Sequence, residues 1–221
     1  MYLSDPAELL RVILIWILPI VFALTLHEFA HALAADRLGD PTARSLGRLS
    51  LNPICHISLI GTLLIPLILL NLTGFLIGWA KPIPINTRNL RSLKRDTAII
   101  AAAGIAANLI MLLFWALIAK FTSIFNTSSN FFLAFQLMGF AGIYTNTILI
   151  VINILPVPPL DGSRIISSLI PQKINYYYEK LEPFGFLILV ILIFTRILPL
   201  IISPLMRGIF SIIGSTFQIS L

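Results

Sequence analysis

Charge is what this chain has least of. Charged residues make up 11% of it, against about 25% in a soluble domain. No stretch is long and polar enough to build a separate soluble domain. Cysteine is nearly absent as well: the single Cys55 excludes an intrachain disulfide. No Lys or Arg precedes the first apolar run, where Asp5 and Glu8 stand instead. A signal peptide needs a positive segment there, so the run reads as a retained span. No internal repeat or low-complexity tract is present. What remains is apolar: hydrophobic residues are 58% of the 221. That composition predicts a polytopic membrane protein with spans of roughly 20 residues each. The net charge of +6 then reports topology rather than nucleic-acid binding, and nucleic acid is not an expected partner.

Four spans follow from the hydropathy pattern: 8–36, 97–120, 131–155 and 183–205. Pro19 is an expected kink in the first. A fifth apolar stretch, 59–80, is interrupted by Pro66 and by Asn71-Leu72-Thr73-Gly74. Arg37, Arg44 and Arg48 lie before it, and Lys81, Arg88, Arg91, Lys94 and Arg95 after it. A full span would send one of these basic flanks outward. A hairpin that dips in and returns keeps both on the cytoplasmic side, together with Arg164, Lys173 and Lys180. The hairpin is the favoured expectation, since irregular backbone is tolerated at depth where protein or water covers it. After it comes Lys81-Pro82-Ile83-Pro84-Ile85-Asn86. Alternating prolines forbid a helix and a central strand and suit an exposed edge strand.

The few ionisable groups in apolar surroundings are therefore informative. His27-Glu28-Phe29-Ala30-His31 falls near the end of the first span. Two histidines four apart share one helix face, a spacing at which two imidazoles grip one Zn²⁺ with the intervening glutamate as general base. A catalytic zinc takes a third protein ligand. The candidates are His56, the remaining histidine, and Asp161, which follows Asn153-Ile154-Leu155-Pro156-Val157-Pro158-Pro159-Leu160 and precedes Gly162. The prolines end the helix and hold a rigid turn, which favours Asp161 as ligand. His56 reads better as a satisfied polar residue or a gate beside the site. Asn153, about two turns before Asp161, suits an amide that steadies an oxyanion or a substrate backbone.

Together H-E-F-A-H and N-I-L-P-V-P-P-L-D-G resemble the site-2 proteases, intramembrane zinc metallopeptidases whose pattern pairs H-E-x-x-H with N-x-x-P-x-P-x-L-D-G. Gly39 to Ala43, Gly47 to Pro53 and Gly78 to Asn86 are similar to the compact bacterial branch without PDZ or CBS domains. Two positions depart from the family: Ile105 stands for the proline of A-G-P-x-x-N, and Ser58-Leu59 for an acidic residue and proline. The resemblance implies one zinc ion held by His27, His31 and Asp161, Glu28 as base, and Asn153 steadying substrate or transition state. It implies a three-helix core (8–36, 97–120, 131–162) within one peptidase domain spanning 1–221. It also implies an active site below the cytoplasmic face of the cell membrane.

The expected fold is thus an all-α polytopic membrane protein with peripheral helices, a membrane-dipping hairpin and a short edge strand. The expected activity is endoproteolysis of a partner's transmembrane helix, with homo-oligomers as a further partner. Lys81, Ile83, Ile85 and Asn86, with His56 nearby, are the candidate substrate contacts by strand addition. The alternative is a zinc-binding membrane protein that does not cut, either a scaffold or a metal carrier. A carrier needs polar groups along a whole transmembrane path, and the spans are nearly bare of them outside the two motifs.

Overall fold

The computed structural model describes residues 6–58, 61, 80–125 and 130–220. Its long helices are α1 (Pro6–Arg37), α3 (Leu93–Ile124), α4 (Asn130–Ile154) and α8 (Ile197–Phe217). Shorter ones are α2 (Thr42–Ser45), α5 (Asp161–Leu169), α6 (Gln172–Glu179) and α7 (Gly185–Phe194). Segments Leu10–Arg37, Leu93–Ile124, Asn130–Ile154 and Ile197–Phe217 are each long and apolar enough to cross a bilayer. The chain is an all-α polytopic membrane protein.

The centre of the bundle is the α3–α4 pair, with α1 packed against both. Small residues let the backbones approach: Ala116 and Ala119 of α3 are fully buried, beside Leu112, Trp115 and Ile143. The face of α8 carrying Leu198, Ile202 and Met206 covers the C-terminal end of α4 at Val151 and Leu155. Helix α1 continues through Pro19. Helix α3 starts at Leu93, before the hydrophobic run itself, because the Asp96 carboxylate accepts the Ser92 N–H at 2.8 Å and so closes the first turn.

Two expectations need correction. The last span is not one helix over 183–205. The backbone breaks after Phe194, Arg196 takes a left-handed conformation (φ 61°), and the spanning helix is Ile197–Phe217. A hydropathy window joins the two pieces because both are apolar; the charge of Arg196 marks the joint. Second, among the described residues there is no strand. Residues 80–86 are extended but pair with no neighbouring strand. Pro82 and Pro84 lack N–H groups, Ile83 and Asn86 donate to side chains, and Lys81 donates to a loop carbonyl. The expected hairpin over 59–80 lies outside the described residues, apart from its ends.

Candidate metal centre

His27 and His31 project from one face of α1, as their spacing requires, with their Nε2 atoms 3.0 Å apart. Asp161, the first residue of α5, brings Oδ2 to 3.4 Å from His27 Nε2 and 3.3 Å from His31 Nε2. All three residues are buried. Among the described residues this is the one cluster of three His, Cys, Asp or Glu groups with ligand atoms so close together.

The hydrogen bonds behind the imidazoles settle which nitrogen carries the proton. Asn146 donates to Gly142 O at 2.8 Å, and a carbonyl can only accept. Asn146 Oδ1 therefore accepts, from Asn108 Nδ2 at 3.1 Å. The same Asn108 amide also donates to Ala23 O at 3.3 Å. Asn108 Oδ1 is left to face His27 Nδ1 at 2.7 Å, so Nδ1 must donate. His31 Nδ1 likewise donates to Ile100 O at 2.7 Å. In its neutral form each ring thus turns a bare lone pair at Nε2 toward the Asp161 oxygen, which accepts no hydrogen bond among the described residues. Three electron-rich atoms facing one another without a proton between them repel. A divalent cation relieves that repulsion, and two imidazoles with one carboxylate are a donor set that suits zinc. The residues present fit the metal.

Two close approaches build the cluster. A Cβ on Gly104 of α3 would lie 2.3 Å from His31 Cε1 and 2.7 Å from His27 Cε1. Both rings occupy the space that this glycine leaves open. A Cβ on Gly162 would lie 2.2 Å from Ile154 O, so only glycine lets α5 fold back onto the end of α4 and carry Asp161 inward. The proline-rich turn between them is held from outside by Tyr178, whose hydroxyl donates to Pro156 O at 2.9 Å. Burial raises the pKa of that phenol, opposed in part by Ser163.

Glu28 lies beside the histidines, buried, and its Oε2 accepts the Ile83 N–H at 3.2 Å. In Lys81-Pro82-Ile83-Pro84 the flanking prolines make Ile83 an isolated donor, and that donor is turned inward onto the glutamate. The Ile83 side chain packs on Ala32 and Ala43. Lys81 N donates to His56 O at 2.8 Å, and Arg48 donates to Lys81 O at 2.8 Å. Asn86 N donates to Asp40 Oδ2 at 2.7 Å, and Asn89 Nδ2 to Asp40 Oδ1 at 2.8 Å. Burial of Asp40 pushes its pKa up, but the bonds from Thr42, Asn89 and Asn86 outweigh it and hold the carboxyl below its ordinary range. Asp40 thereby stays ionised and anchors the extended segment at neutral pH.

His56 is not in the cluster. Its Nε2 donates to Ser50 O at 2.8 Å, and the ring is buried in the loop under Lys81. Asn153 is half-buried, and its amide donates to Leu149 O at 2.9 Å, one turn back in its own helix. No hydrogen bond joins it to His27, Glu28, His31 or Asp161. Beside the segment 82–85 runs a groove of about 680 Å³, bordered by Ile83, Ile85, Lys94, Pro158, Ser163 and Arg164.

The sequence reading assigned Asn108, Asn146, Gly104, Arg48 and Asp40 no role in the site. For Asn108 and Asn146 a signal existed: an amide inside an apolar span must find partners. Gly104 and Asn108 are also four apart, on one face of α3. Which groups they meet depends on how α3 lies against α1, which no local pattern specifies.

No family model and no solved structure matches the chain. It is 32% identical over 200 residues to "Putative zinc metalloprotease YwhC" of Bacillus subtilis, an alignment covering 87% of this chain and 85% of that protein. It is 29% identical over 178 residues to "Putative zinc metalloprotease Rip2" of Mycolicibacterium smegmatis, covering 79% of this chain and 64% of that protein. The first alignment takes in more than four fifths of each chain, so the chain belongs to the site-2 protease family of zinc metallopeptidases.

Proposed function

We propose that this protein is an intramembrane zinc endopeptidase, and that residues 1–221 act as one peptidase domain cutting within or near the transmembrane helix of a membrane-protein substrate. The observation that carries the reading is the convergence of His27 Nε2, His31 Nε2 and Asp161 Oδ2, with the Glu28 carboxylate next to them, inside a bundle of apolar helices. His27, His31 and Asp161 hold one ion. When bound, the zinc supplies Lewis acidity toward water and the scissile carbonyl. Glu28 takes the proton from the attacking water and returns it to the leaving amine. The Ile83 N–H keeps that carboxylate oriented. Asn153, by rotating its amide away from Leu149 O, steadies substrate. The basic residues cluster on the loops at the end of the bundle that holds the centre, which supports a cytoplasmic-facing site in the cell membrane.

A helical peptide bond is shielded by its own hydrogen bonds, so substrate must unwind before it is cut. Ile83 O and both backbone groups of Ile85 accept or donate no hydrogen bond among the described residues, and Ile85 borders the groove. These groups receive the unwound segment by strand addition, with Lys81, Asn86 and His56 framing the edge.

Purified protein in proteoliposomes is expected to cut a co-reconstituted single-span substrate when zinc is present. Chelation should stop the cutting and zinc should restore it; a metal-loaded protein that leaves every such substrate intact overturns the reading. At the edge, Ile85→Pro removes an N–H that makes no hydrogen bond among the described residues. Loss of a single such bond is expected to raise KM about fivefold to tenfold, while Ile85→Val stays close to wild type. If the proline variant cut as well as wild type, strand addition at this segment would have to be abandoned.

A further inference from the structure

We infer that α8 carries, on its outward face, a docking site for a transmembrane helix of another membrane protein that bears an Asp or Glu near mid-bilayer. The inference starts from Arg207. It is the eleventh residue of the 21-residue helix Ile197–Phe217, with about 15 Å of helix on either side of it. Leu198, Ile202, Met206 and Ile213 turn inward and are buried against the bundle. Arg207 is on the opposite side and exposed, which for a spanning helix means exposed to lipid. It makes no ion pair and no hydrogen bond with any described residue. An arginine at the centre of a span is costly in lipid, and such residues otherwise pair with a counter-charge or line a path. Its stem is too short to bring the guanidinium to a headgroup from mid-helix.

The sequence places no acidic residue within 59–80, 97–160 or 183–221 to serve as counter-charge: Asp5, Glu8, Asp36, Asp40, Asp96, Glu179 and Glu182 fall before, between or at the ends of the spans, and Glu28 and Asp161 belong to the metal centre. A second copy docked through the same face would set Arg207 against Arg207. The carboxylate must therefore come from a different protein. The surface beside Arg207 admits a close neighbour. A Cβ on Gly208 would meet nothing within 4 Å, so the glycine answers no packing need among the described residues. Ser203 and Ser215 are already satisfied by Pro199 O and Ile212 O and place no demand on a partner. Helices approach most closely over such small residues. The face belongs to α8, whereas the metal centre is built by α1, α3 and α5, so occupancy of one is measured separately from the other.

The test uses the full-length protein in phosphatidylcholine vesicles, with a donor fluorophore at Thr216→Cys in a Cys55→Ser background. The probes are three acceptor-labelled Leu-Ala transmembrane peptides differing only in a central Glu, Gln or Lys. The Glu peptide is expected to reach half-saturating energy transfer at about tenfold lower density than the Gln peptide. In Arg207→Leu that preference should vanish, and in Arg207→Glu it should pass to the Lys peptide. Equal binding of the Glu and Gln peptides to wild type, or a Glu preference that survives Arg207→Leu, overturns the proposal. So does loss of the preference on adding anionic phosphatidylglycerol, since lipid headgroups would then be what satisfies Arg207.

Discussion

Glu28→Gln is expected to abolish cleavage while leaving the metal in place. The amide has nearly the shape of the carboxylate, and its oxygen can still accept the Ile83 N–H that now reaches Glu28 Oε2 at 3.2 Å. The packing of Ile83 on Ala32 and Ala43 and the three-atom cluster beside Glu28 are untouched. What disappears is a group able to take a proton. A positioned general base contributes about 10²–10⁴-fold, so kcat on a reconstituted single-span substrate should fall by a factor in that range. Zinc per chain, measured by mass spectrometry of the purified protein, should stay at the wild-type value. The pairing of the two readouts separates the alternatives. A metal carrier or scaffold has no use for a proton acceptor between its ligands, and in that case the variant and wild type would behave alike. Wild-type turnover by the variant would remove Glu28 from the chemistry, whatever the family resemblance implies.

The parts of this molecule that sequence makes visible are those whose geometry is local. His27, Glu28 and His31 were legible because a helix fixes which residues share a face. Asp161 was legible because proline after proline leaves a turn few conformations and puts a carboxylate at its end. The alternation of Pro82 and Pro84 was legible for the same reason, and it correctly forbade a helix. Where the Ile83 N–H would point was not, because that depends on α1 passing beneath it. The relay from Asn146 through Asn108 to His27 was hidden for a related cause. Its members stand on three different helices, and each alone reads as a packing asparagine. The last span was misjudged by a cruder route: average hydropathy over 183–205 cannot register a single left-handed residue, and Arg196 is where the helix stops.

The same dependence on tertiary approach makes Gly104 a position on which the metal centre depends. Gly104→Ala is expected to lose zinc affinity by more than about 100-fold, beyond the 10- to 100-fold range typical for a group that only supports a ligand. The added methyl would fall 2.5 Å from His31 Nε2 and 2.3 Å from Cε1. Neither side can retreat cheaply. Helix α3 is fixed by Ala101, Leu112 and Ala116, which are fully or almost fully buried. His31 is held by its 2.7 Å bond to Ile100 O, in the same turn of α3 that would carry the intruding group. The rings must rotate, and rotation turns the two lone pairs away from Asp161. Helix propensity works in the opposite direction, because alanine is about 1 kcal/mol better than glycine inside a helix. Overpacking costs about 1–3 kcal/mol, so the two effects largely offset: the metal-free variant should unfold only a few degrees below the metal-free wild type, whereas zinc binding, read by competition with a chromogenic chelator, should collapse. Asn108→Leu supplies the graded comparison. It removes the acceptor at His27 Nδ1 without filling the space between the rings, so it should weaken zinc by about 10- to 100-fold and rank below Gly104→Ala. Wild-type zinc affinity in Gly104→Ala would mean that the imidazoles do not need the opening in α3, and the account of how the helices assemble this centre would fail with it.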